Sequence, residues 1–116
     1  MKLELVTGPG SRAAYRLLDP VRFQGITVPS GFETDFASVP TALEWVVSGE
    51  DVQIIKPSIV HDWLYQNRGK VKEGPFTRKQ ADQLLAAGMR ELGAPWWKRN
   101  AVYLAVRLGG GKAWRT

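Results

Sequence analysis

The chain contains no cysteine and a single histidine. The first absence excludes a disulfide framework and thiolate chemistry; together the two argue against a four-ligand structural zinc site. No apolar run approaches the length of a membrane span. The first residues, Met-Lys-Leu-Glu-Leu-Val, carry Glu4 and run at once into Gly8-Pro9, unlike a signal peptide. Low-complexity tracts, repeats and long charge runs are also missing. These features predict a single domain over residues 1–116, not transmembrane, made in the cytoplasm of the cell that encodes it. Acidic residues are scarce in one half only. Residues 67–116 carry eleven Lys/Arg against three Asp/Glu, whereas residues 1–66 carry five against eight. The imbalance points to an anionic partner for the C-terminal half, such as a phosphate, anionic lipid head groups, nucleic acid or an acidic protein surface. No helix-turn-helix or RNA-stacking pattern accompanies it, so sequence-specific nucleic-acid recognition is not expected.

Local patterning predicts an α+β fold: a small N-terminal antiparallel β-sheet followed by three or four packed α-helices. Residues 1–35 read as mainly β, 40–108 as mainly α, and 109–116 as a tail. Stretches 2–6, 14–18 and 22–28 have alternating or β-branched character, punctuated by Gly-Pro-Gly, Asp-Pro and Pro29-Ser30-Gly31. Phe32 to Pro40 reads as a loop, and Pro40 can open a short helix through Val47. A further helix is expected from about Pro57 to Asn67, proline being well suited to a first turn. Thr77-Arg78-Lys79-Gln80 is a capping box, followed by an apolar stripe of Ala81, Leu84, Leu85, Gly88 and Leu92, with Gly93 as the stop. After Pro95, a last helix should turn Trp97, Ala101, Leu104, Ala105 and Leu108 inward until Gly109-Gly110-Gly111 ends it.

Chemistry concentrates in His61-Asp62-Trp63-Leu64-Tyr65. On a helix, His61 and Tyr65 share a face, with Asp62 about 100° around it. A base, a metal ligand or charge partner, and an orienting hydroxyl then sit on one rigid element. The plainer reading is a half-buried helix whose histidine is satisfied by a neighbour. Trp96, Trp97 and Trp114, beside Lys98, Arg99, Lys112 and Arg115, read either as core fillers or as an interfacial patch.

Two resemblances bear on these residues. Val28-Pro29-x-Gly31-Phe32-x-Thr34-Asp35-Phe36-Ala37-Ser38-Val39-Pro40, His61-Asp62-Trp63-Leu64-Tyr65, Arg78-x-x-Ala81-Asp82, Met89-Arg90-Glu91-Leu92-Gly93 and Tyr103-Leu104-Ala105-Val106-Arg107 occur in an order that resembles the DUF1353 family. That resemblance implies a tailed-bacteriophage or prophage origin and no established activity. The shorter His61-Asp62-x-x-Tyr65 with Ala81-Asp82 is similar to the catalytic helices of secreted phospholipases A2. It implies His61 as general base, Asp82 and Tyr65 as its orienting groups, and Asp62 as a ligand of calcium (Ca2+). Outside the resemblance, the Thr34-Asp35-Phe36-Ala37-Ser38 loop offers Asp35 as a second hard oxygen ligand in place of those enzymes' calcium loop. The chain departs from those enzymes in having no disulfides and no recognisable glycine-rich calcium loop.

Three functions are therefore open. The first is a small virion or tail-assembly component, partnered by other phage structural proteins, in which His61, Asp62, Asp82 and Asp35 form a polar site. The second is a phage-encoded accessory hydrolase of phospholipase A2-like type, using calcium for ester hydrolysis. The third is a host-interaction module that works through its basic C-terminal half.

Overall fold

The computed structural model describes residues 3–6, 14–34 and 52–115. Among these residues five short strands precede four helices: β1 (Leu3–Val6), β2 (Ala14–Leu17), β3 (Val21–Phe23), β4 (Ile26–Val28), β5 (Glu33–Thr34), α1 (Val52–Gln66), α2 (Arg78–Glu91), α3 (Trp96–Gly109) and α4 (Gly111–Arg115). The arrangement is α+β, as expected. The helix anticipated over residues 40–47 and the site residue Asp35 lie outside the described residues.

The β-rich part divides into two antiparallel sheets, ordered β1-β2-β5 and β3-β4. In the first, Arg16 on the central strand registers against Glu4 and Glu33 on the two flanking strands. Its guanidinium lies 3.1 Å from Glu4 and 2.8 Å from Glu33. Exposed ion pairs of this kind contribute little energy but discourage register slips. β5 arises where a loop was expected, because Thr34 opposite Tyr15 extends the ladder of β2. The single strand expected over residues 22–28 is instead a hairpin. Gln24 and Gly25 both take positive φ, 55° and 74°, which is the signature of a two-residue turn whose twist matches its strands. Gln24 donates from Nε2 to the Leu84 carbonyl at 2.7 Å, anchoring the hairpin on α2.

α1 is the central element, packed against the hairpin, β5, α2 and α4. It begins at Val52, not at Pro57, which therefore sits in its second turn. Proline there removes one backbone hydrogen bond. Ile54 is fully buried upstream of it, and burial of such a side chain, about 1.5–3 kcal/mol, offsets the loss. Ile59, Val60 and Leu64 of α1 meet Ala81, Leu85 and Met89 of α2 and Val21, Ile26 and Val28 of the hairpin in one core. The capping box forms as expected, with Gln80 N donating to Thr77 Oγ1 at 3.1 Å and Thr77 N to Gln80 Oε1 at 2.8 Å.

α3 corrects the sequence reading most sharply. Val102 and Val106 are its buried residues. Trp97, Leu104 and Leu108, expected inside, are exposed, as is Ala101. Both faces are apolar, so pattern alone cannot decide which one turns inward. The choice goes to the face whose compact β-branched side chains let α3 approach α2. The expected tail forms a short helix, α4, whose Trp114 packs edge-on against Tyr65 with ring centroids 5.1 Å apart. No described helix is long and apolar enough to cross a membrane.

Candidate functional site

Helical spacing puts Ser58, His61, Asp62 and Tyr65 along one side of α1. All four are buried. Asp82 reaches them from α2, where it shares the buried face with Ala81, Leu85 and Met89. It is 0% exposed. A carboxylate so placed needs donors for both oxygens.

It has three. His61 Nε2 lies 2.7 Å from Oδ1 of Asp82. The Tyr65 hydroxyl donates to the same oxygen at 2.5 Å. Arg107 Nη1, from α3, donates to Oδ2 at 2.7 Å. The imidazole and phenol rings lie 4.2 Å apart and tilted by 34°, so both can aim at one oxygen. Behind Tyr65, Arg78 donates from Nε to the phenolic oxygen at 3.2 Å and from Nη2 to the Val106 and Arg107 carbonyls at 2.7 and 2.9 Å. Arg78 thus places a cation on the C-terminal carbonyls of α3, where the helix dipole favours one. Gly110 leaves room for this arrangement. A Cβ there would stand 2.7 Å from the Tyr65 hydroxyl oxygen and 2.5 Å from the Val106 carbonyl oxygen.

The electrostatics follow from burial and from these bonds. Burial works to raise the Asp82 carboxyl, but hydrogen bonds from His61, Tyr65 and Arg107 outweigh it and hold the group below its usual range. Burial lowers the His61 imidazole, against the pull of Asp82. Burial and the Asp82 carboxylate push the Tyr65 phenol well above its ordinary value. The Arg107 guanidinium is raised by its bond to Asp82. At neutral pH this means an ionised Asp82 and a neutral imidazole. The carboxylate can only accept, so Nε2 carries the ring proton and Nδ1 carries the lone pair.

A pH dependence of stability follows. Unfolded, the histidine titrates near 6.5, whereas the buried ring resists protonation. As pH falls below that value the unfolded chain takes up a proton that the native chain does not, so stability declines with acidity. Asp82 adds a second loss as pH falls below its unfolded value of 3.8. The thermal midpoint is expected to drop between pH 7 and 5, and His61→Asn to flatten that part of the curve. A wild-type midpoint that stays constant over this interval would contradict the assignment of a neutral ring.

The structure thus brings together His61, Asp82 and Tyr65. Asp62 is buried beside them, accepting from Gln66 Nε2 at 2.9 Å on Oδ2. Among the described residues no group of three or more His, Cys, Asp or Glu could hold a metal ion. Asp82 accepts from three donors, and Asp35, the other carboxylate expected at calcium, lies outside the described residues. Sequence reasoning missed Arg78 and Arg107. Arg78 precedes Asp82 by one helical turn, a spacing that puts them on one face. Arg107 closes the Tyr103–Arg107 segment of the family resemblance, but no spacing in the sequence ties it to Asp82. The Ser58 hydroxyl, 0% exposed, has no hydrogen-bond partner among the described residues.

Comparison with known proteins gives a family and no activity. Residues 12–106 match a family model described as "Protein of unknown function (DUF1353)". An uncharacterized protein, y4jT, of Sinorhizobium fredii is 30% identical over 84 residues. The match takes in 72% of this chain but only 23% of that relative. No solved structure matches.

Proposed function

The chain belongs to the DUF1353 family, and from that premise we propose that it is a small bacteriophage virion or tail-assembly component whose His61–Asp82 network fixes the fold. The phage setting rests on the family resemblance drawn from its motifs. The observation that carries the structural role is closure. His61, Asp82 and Tyr65 are 1%, 0% and 1% exposed, and both oxygens of Asp82 are engaged. A reacting group must meet its substrate, and these groups meet one another. A saturated buried network instead holds α1, α2 and α3 in one arrangement.

A second reading is favoured by one feature, the tautomer. A neutral imidazole bonded through Nε2 to a buried carboxylate, with Nδ1 as acceptor, is the state a histidine needs to take a proton from water. In this reading His61 is the base of a phospholipase A2-like hydrolase, Asp82 and Tyr65 orient it, and calcium calls on Asp62 with Asp35.

One set of measurements separates the two. Purified particles are expected to contain the protein at a fixed stoichiometry. The isolated protein should leave phosphatidylglycerol–phosphatidylcholine vesicles intact with or without calcium. Ester hydrolysis that depends on calcium and disappears in a folded His61→Asn variant would replace the assembly reading by the hydrolase.

A further inference from the structure

α3 is apolar on two opposite sides. At about 100° per residue, Val102 and Val106 define the inward side, and Trp97, Ala101, Leu104 and Leu108 fall in a sector roughly 60° wide pointing away from it. That outer stripe is open: Trp97 is 59%, Leu104 58% and Leu108 86% exposed. A helix that is apolar on both sides is ordinarily covered on both.

The spacing says what covers it. Residues 97, 101, 104 and 108 step by 4, 3 and 4, the rhythm by which one helix seats its side chains between those of another. The stripe extends about 16 Å at 1.5 Å per residue, three turns of a partner helix. A helix lying in a lipid surface presents a broad apolar face, whereas this seam is narrow.

The charges narrow the partner further. No carboxylate occurs within α3. At about 100° per residue Lys98 borders the stripe on one side and Arg107 on the other, and Lys112 is exposed just beyond the end of α3. A second copy of the chain would bring two such basic surfaces together, and like-charge juxtaposition opposes that.

We propose that the outer face of α3 is a docking seam for an acidic amphipathic helix of another protein, with Trp97, Leu104 and Leu108 as its anchors. The inference names the partner class for the assembly reading and rests on that reading.

The test uses the full-length chain and a synthetic peptide of about 21 residues, three heptads, with leucine at a and d and glutamate at e and g. A control peptide has lysine at e and g. Fluorescence anisotropy is expected to show binding of the glutamate peptide, at least about tenfold weaker binding of the lysine peptide, and at least about tenfold loss for Leu104→Asp/Leu108→Asp. Those two residues are exposed, so the double variant should keep the wild-type circular dichroism and melting midpoint. Equal affinity for both peptides, or none for either, would overturn the proposal. So would a homodimer in sedimentation that the double variant dissolves, since a second copy would then occupy the seam. Binding to phosphatidylglycerol vesicles in place of the peptide would overturn it in favour of a lipid surface. Particle composition separates this inference from the reading beneath it. Particles that incorporate the double variant like wild type defeat the seam alone, and particles that lack the protein altogether defeat the assembly reading.

Discussion

Asp82→Ala is expected to destabilise the fold by about 3–5 kcal/mol, the cost of breaking a buried charged network from one side. The substitution strands the His61 imidazole and the Tyr65 hydroxyl in a site with little access to water, and each buried group left without its partner costs about 1–3 kcal/mol. Arg107 adds less, because its side chain is 31% exposed and can turn to solvent. Asp82→Asn should lose roughly half as much. Its amide oxygen still accepts, but its NH2 faces a donor. Urea denaturation of the three proteins measures the difference. A midpoint for Asp82→Ala within about 2 °C of wild type in a thermal scan would mean that the three donors find other acceptors.

Gly69→Ala is expected to cost about 3 kcal/mol or more, for reasons of space as well as backbone conformation. Gly69 has φ 75° and accepts from Val71 N and Phe76 N, both at 3.0 Å, so the connection between α1 and α2 folds back over it. A Cβ at Gly69 would stand 1.8 Å from the Phe76 carbonyl oxygen, a backbone atom that cannot step aside. Gly25 has nearly the same φ, 74°, with nothing within 4 Å of its ideal Cβ. Gly25→Ala should therefore show the conformational cost alone, about 1–2 kcal/mol. Equal losses at the two positions would remove the steric account. Because the Gly69 turn sets how α2 lies against α1, its disruption should also shift the His61 ring resonances.

The sequence made the polar cluster legible where spacing and need coincided. His61 and Tyr65 share a helix face, Asp82 follows a strong N-terminal cap, and a buried carboxylate and a lone histidine each want a partner. Arg107 was hidden because it reads as one more surface cation in a basic helix. The facing of α3 was misread because Trp97, Leu104 and Leu108 outweigh Val102 and Val106 in hydrophobicity, and only the packing partner decides which side is covered. The hairpin at Gln24-Gly25 was taken for one strand with a glycine in it. A turn can use glutamine in the left-handed region, but nothing in its side chain announces this. Asp35 and the helix expected from Pro40 lie outside the described residues.

One carboxylate draws hydrogen bonds from α1 and α3 onto α2, and Arg78 ties the end of α3 back to Tyr65. None of these helices can fray past its contact without uncovering the same buried charge. In hydrogen-exchange terms, the amides around Tyr65, Leu85 and Val106 should therefore belong to one cooperative unit, opening together at close to the free energy of global unfolding.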